Sequence, residues 1–288
     1  DSTTQQVFTA DDITLTISSN ATLSRSQKSI VTDNRSGVTV TINEGSEVFT
    51  TSGDNAIVGK SSTNLTVNNS GKIYSSGAKA VSFRQGSGAT LSNNSGATIY
   101  AATNTISGNH NDTENATITN SGTIYSTDAS TNTIIFAVGS TGNSIINNAG
   151  GEIYTEGTGA TIKLGASSTL TNSGTIKTGS VSSKAINAAG SNNTITLKDD
   201  GKIIGIISSA DGTTGNKLQM QHGFGQGYFY ETSGDFTLED LDGNQVVKGS
   251  AGSVGQGGSE TLDELLGYKS LNIRKSLNRY KKSKSFLE

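Results

Sequence analysis

The sequence predicts an all-β fold: a right-handed parallel β-helix with three strands per rung. Three observations carry this. The 288-residue chain is only 31% hydrophobic and 16% charged, with 36 glycines and no proline. So little apolar matter excludes a globule around one thick core, and a chain poor in both proline and charge does not read as disordered. One phrase then recurs: an apolar strand, Asn-x-Gly, two or three residues, Ile or Val, and usually an aromatic. Its interval is steady, because Gly45, Gly71, Gly96, Gly122, Gly150, Gly174 and Gly201 lie 26, 25, 26, 28, 24 and 27 residues apart. Units that cannot bury their own apolar face do so by stacking, which makes a narrow shared core sufficient.

Each period holds three short strands. One follows the glycine, as in Lys72-Ile73-Tyr74. A second lies midway, as in Ala56-Ile57-Val58, Ala80–Phe83, Thr133–Phe136, Ala160–Ile162 and Ala185-Ile186. The third leads into the next Asn-x-Gly, as in Asn64–Val67. All alternate with period two and are bounded by turn residues. A weaker early copy, ITLTISSNATLS, precedes Gly45 by about one period. About eight rungs over 1–210 give a rod on the order of 40 Å long. The glycines are expected to supply positive φ in the turns. The residues two places before them (Asn43, Asn69, Asn94, Asn120, Asn148, Asn172 and Asp199) are expected to stack rung over rung, hydrogen-bonding along the outside of the rod. Asp199-Asp200 reads as the same turn in another form. The absence of proline fits strands paired on both edges.

Beyond Ile203–Ser209 the repeat fades. Five of the 16 aromatics, Phe224, Tyr228, Phe229, Tyr230 and Phe236, fall within thirteen residues, and Asp242-Gly243 marks a hairpin turn. Residues 211–258 are therefore expected to form a β-rich cap over the open end. A glycine-rich link follows at 249–259. Thr261-x-x-Glu264 then opens a helix with a loose apolar stripe (Leu262, Leu265, Leu266, Ile273, Leu277, Tyr280). Residues 259–288 carry seven Lys/Arg against four Asp/Glu, whereas the whole chain is at −3. The start of the chain has neither a basic n-region nor an apolar h-region, so either the protein is not secreted by that route or a signal has already been removed.

This order of parts resembles the passenger of a bacterial autotransporter (type V secretion). The residues that carry the resemblance are the Asn-Ser-Gly repeats at 69–73, 94–99, 120–124 and 172–176, and the aromatic-rich unit with LEDLDGNQVVKGSA at 238–251 before a glycine-rich link and helix. The resemblance covers nearly the whole chain. It implies an autochaperone-like role for 211–258, helping the rod fold from one end. It also implies a helix at 259–288 leading into a C-terminal outer-membrane barrel, which this sequence does not contain. Export through the outer membrane, display at the cell surface and a part in adhesion or virulence follow from it. So do partners on host or neighbouring cells, or another copy of the chain, besides the chain's own barrel.

The search for chemistry points away from catalysis. The chain has no cysteine, which removes disulfides and thiolate chemistry. Its two histidines, His110 and His222, fall in different regions, and no G-x-S-x-G occurs. Asp112 with Glu114, and Glu152 with Glu156, are pairs that do not recur from rung to rung, against the clustered carboxylates of a glycan-cleaving β-helix. No calcium-binding nonapeptide array is present; no metal, cofactor or nucleic-acid partner is expected, the basic helix reading as a solvated face. The competing readings are a glycan-active enzyme and a purely structural stalk.

Two columns remain. Phe49, Tyr74, Tyr100, Tyr125 and Tyr154 follow the inward Ile/Val, so their rings point outward about 4.8 Å apart. They either stabilise the sheet face or form a stripe for a partner, a sugar or a second copy. Thr66, Thr90, Thr117, Thr169 and Thr196 also line one face. Regular threonine arrays bind ice, but Ile145 is expected to interrupt this row and the array to be one residue wide, which predicts no such activity.

Overall fold

The computed structural model describes residues 2–221, 228 and 230–244. The chain winds as a β-solenoid of about 9 turns, all-β, with no helix among the described residues. Three sheets of ten, ten and eight strands run its length, and every strand pair is parallel. One sheet, here the threonine sheet, is built from strands such as Thr66–Asn69, Thr90–Asn93 and Thr117–Asn120. The aromatic sheet holds Lys72–Ser75, Thr98–Ala101 and Thr123–Ser126. The third holds shorter strands, such as Ile57–Val58 and Ile134–Phe136.

Alternation fills the interior. On the aromatic sheet Val48, Ile73, Ile99, Ile124, Ile153 and Ile176 point inward and are fully buried. Val67, Leu91, Ile118 and Ile145 do so from the threonine sheet, and Ile57, Val81, Ile106 and Ile134 from the third. These columns form one continuous core along the rod. Each β-branched residue stacks on its own kind, so a thin core is packed by repetition.

The Asn-x-Gly phrase proves to be two turns rather than one. From the last inward residue of the threonine strand to the first residue of the aromatic strand the chain takes three steps at Asn69–Lys72, Asn120–Thr123 and Asn172–Thr175. It takes five at Ile42–Glu47, Asn93–Thr98, Asn147–Glu152 and Leu197–Lys202. From Ile42 onward, long and short turns alternate. The expected single asparagine ladder is corrected accordingly. The stacked amides are Asn69, Asn93, Asn120, Asn147 and Asn172, joined Nδ2 to Oδ1 at 2.8 Å in all four steps. They are buried inside the rod and do not run along its outside. Asn94 and Asn148 stand one residue later, in the long turns, where each donates to a serine of the short turn below: Ser70 at 2.8 Å and Ser121 at 2.9 Å. Asp199 instead accepts from Ser173 at 3.0 Å. Asn43 also lies in a long turn, beside the ladder's aliphatic end at Ile42.

The glycine expectation divides the same way. Gly45, Gly96 and Gly150 adopt φ of 75°, 79° and 81° in long turns. Gly71, Gly122 and Gly174 do not. In the short turn the preceding rung's backbone leaves no room for a Cβ: one on Gly122 would lie 2.5 Å from the Asn94 carbonyl oxygen and run into that of Ala97. Their requirement is close approach, not dihedral freedom. In the Asp199-Asp200 turn the positive φ falls on the two aspartates (49° and 58°) rather than on Gly201.

The solenoid also continues past residue 210. Lys217–Met220 and Thr237–Asp240 extend the threonine sheet, and Glu231–Ser233 the third sheet, all in parallel register. Here the glycine phrase is lost but the inward leucines Leu218 and Leu238 are kept. Tyr228 is buried, while Tyr230 and Phe236 pack against the core. Asp242-Gly243 does form a tight turn, with Gly243 at φ 81° and Asp240 N–H bonded to the Asn244 carbonyl at 3.0 Å. Phe224, Phe229, His222 and the helix expected at 259–288 lie outside the described residues.

Candidate functional site

Two long faces of the rod present ordered side chains. On the aromatic sheet the register aligns Phe49, Tyr74, Tyr100, Tyr125 and Tyr154 in one column. Successive rings lie 4.4, 4.9, 5.0 and 4.9 Å apart, within 10° of parallel. The rung spacing dictates this stack, since in-register parallel strands repeat at about 4.8 Å. Buried hydroxyls clip its strands from within: Thr105 donates to the Tyr125 carbonyl and Thr133 to that of Tyr154, each at 2.6 Å.

Stacking has a chemical consequence. Ring faces inside the column are covered by the neighbouring rings, so no flat aromatic platform faces solvent. What the column presents is a line of ring edges and four phenol hydroxyls. Lys177 lies 4.5 Å from the Tyr154 ring centre and is ion-paired to Glu152. Near the other end Lys72 sits 4.9 Å from the Tyr74 ring centre and 3.4 Å from Glu47, which also accepts from the Tyr74 hydroxyl at 3.3 Å. Burial, then the Glu47 charge, pushes the Tyr74 phenol up to about 12. Burial followed by neighbouring Tyr154, Tyr100 and Glu156 does the same to Tyr125. Both are therefore neutral hydroxyls, able to donate and to accept, at any physiological pH.

The threonine sheet differs from its expectation. Ile145 does not interrupt a row: it is fully buried and points into the core, in register with Ile118 and Leu170. Ser144 occupies the outward place, and the column reads Thr14, Thr39, Thr66, Thr90, Thr117, Ser144, Thr169, Thr194. Thr196 belongs to a second outward column two residues along each strand, with Thr16, Thr41, Asn68, Ser92, Thr119, Ile146 and Thr171. The array is two residues wide and eight rungs long. Counting in twos from Leu91 and Ile118, rather than from the glycines, would have found it.

A third ordered column escaped the sequence reading. Residues in the left-handed region alternate between Asn64 and Asn115 on the one hand and Gly88 and Gly142 on the other (φ 54–68°). Each of these glycines lies against the side-chain oxygen of the asparagine one rung earlier, so a Cβ there would meet Oδ1.

Comparisons with family models, with curated proteins and with solved structures gave no significant match.

Among the described residues, those weighed for chemistry are not assembled into a metal site. His110 Nδ1 accepts from the Asp112 backbone N–H at 3.2 Å and lies 3.4 Å from its exposed carboxylate, within one loop. Glu152 is engaged by Lys177. Among the described residues no three His, Asp or Glu side chains come together as a metal site.

Proposed function

We propose that the chain is a non-catalytic, surface-displayed passenger of the autotransporter type: a right-handed rod that acts in adhesion or cell–cell self-association. The observation that carries this reading is the five-ring column from Phe49 to Tyr154. It sets a rigid line of hydroxyls and ring edges between two Lys/Glu pairs on an exposed face of a repetitive scaffold. Side chains already locked by stacking lose little freedom on contact, so each weak polar contact retains more of its value. Many such contacts along rods held on a cell surface add through effective concentration. Partners in this reading are host or neighbouring-cell surface molecules, or another copy of the chain. Residues 211–258 close and help nucleate the rod, and residues 259–288 lead to an outer-membrane barrel that anchors it.

The test replaces Tyr74, Tyr100, Tyr125 and Tyr154 with serine in the surface-displayed chain. Cell clumping and adhesion to surfaces are measured, with circular dichroism to verify the fold. Loss of either with the fold intact supports the proposal. Unchanged clumping and adhesion would leave the column a purely structural element.

A further inference from the structure

We propose that the threonine sheet is an ice-binding face. This does not depend on the adhesive reading, which rests on a different sheet. The observation is the two-column hydroxyl array, carried over eight rungs by a register without a slip. Only Asn68 and Ile146 depart from Thr or Ser in it, and neither is charged. The backbone sets the grid: about 4.8 Å between rungs, and about 6.7 Å between outward residues two apart on one strand. Two perpendicular repeats close to these occur on the prism face of hexagonal ice.

Threonine suits such a grid for physical reasons. Its β-branch restricts χ1, so hydroxyl and methyl take few orientations before any water is bound. The hydroxyl both donates and accepts, as a water in a lattice must. The methyl between hydroxyls disfavours competing liquid-like hydration. A charged group would orient water radially and break the lattice, and the array has none until Lys217 and Glu239, which pair at 3.0 Å beyond its end. The aromatic sheet carries Glu47, Lys72, Glu152 and Lys177 among its outward residues and offers no comparable grid.

The experiment uses the whole chain, dye-labelled at its amino terminus, in an ice-partition assay with measurement of thermal hysteresis. The expected result is incorporation into slowly growing ice and a measurable hysteresis gap. The paired substitutions Thr117→Lys and Thr119→Lys, at the centre of the array, should reduce both by more than half. Tyr100→Ser, on the other sheet, should leave both unchanged. Circular dichroism of each variant confirms the fold. Exclusion of the chain from ice, or incorporation that ignores the lysine pair, would overturn the proposal. So would retention on crystalline cellulose or chitin that the lysine pair abolishes while ice partition is absent, since the face would then fit a polysaccharide lattice instead.

Discussion

The buried amide ladder should be most sensitive at its middle. Asn120 accepts from Asn93 and donates to Asn147, both at 2.8 Å, and donates further to the Gly122 and Glu152 carbonyls. Asn172, the last amide, accepts from Asn147 and donates only to backbone, the Gly174 and Lys202 carbonyls, each at 3.2 Å. The next rung has Leu197 in that place, so the rod already accommodates an aliphatic side chain there. Asn120→Leu removes two amide–amide bonds and two bonds to backbone carbonyls, and leaves the Asn147 Oδ1 without the amide that reaches it. Asn172→Leu removes one amide–amide bond and two bonds to backbone carbonyls, and leaves Asn147 its bonds to the Gly151 and Thr175 carbonyls. The two backbone-carbonyl bonds are lost at both sites; with a net loss of about 1 kcal/mol for the extra amide–amide bond and about 1–3 kcal/mol for the buried oxygen left unpaired, Asn120→Leu should cost about 2–4 kcal/mol more than Asn172→Leu. The same substitution at both sites makes any overpacking largely common to the two. Urea denaturation followed by far-ultraviolet circular dichroism measures the difference, the chain having no tryptophan. Equal losses at the two positions, or a neutral Asn120→Leu, would refute the ladder as a connected element.

Other consequences follow from the same geometry. Because Tyr74 and Tyr125 titrate near 12 in the fold against an ordinary 10, the stability they contribute is complete below about pH 10 and is lost as pH rises towards 12. A spectrophotometric titration with both phenols ionising at the ordinary value would contradict this. Gly96→Asn should be nearly neutral, since Asn20 holds φ 61° in a corresponding turn, whereas Gly122→Ala should cost about 1–3 kcal/mol by forcing the neighbouring rung's carbonyls apart. Comparable melting temperatures for these two variants would contradict the division into two turn types. Removal of 216–258 should lower the refolding yield of the remainder, because it strips the strands that cover the Thr194–Leu197 edge; unchanged yield and rate would remove the chaperone role.

The period, the parallel stacking and the inward aliphatic columns were legible because each depends on alternation within a strand of four residues. The outward aromatic column was legible for the same reason, lying one residue after each Ile or Val. Turn lengths were not. Asn-x-Gly recurs at nearly constant intervals although its asparagine is an inward amide at 69, 120 and 172 and a turn residue at 94 and 148. The glycine spacing absorbs that shift, and only strand register separates the two. Reading by glycine also misassigned Ile145, which made the threonine face look interrupted and narrow. A β-rich cap was expected past residue 210, but that its strands continue the solenoid in parallel register was missed, because inward leucines, not Asn-x-Gly, maintain the stacking there. Alternation of asparagine and glycine in the left-handed column has a sequence trace, Asn64, Gly88, Asn115 and Gly142, but its spacing overlaps the stronger glycine repeat.

The claim beneath all of this is that residues about 26 apart in sequence stand in straight columns on the faces of one rod. The chain's lack of cysteine allows spin labels at Thr39→Cys and Thr194→Cys alone, six rungs apart in the outer threonine column. Pulsed electron–electron double resonance should give a single narrow distance of about 29 Å, six steps of about 4.8 Å, since both labels project from the same face and their reach largely cancels. A broad distribution, or a distance that does not shorten by about one step when Thr39→Cys is replaced by Thr66→Cys, would contradict the stacked coil on which both proposed faces depend.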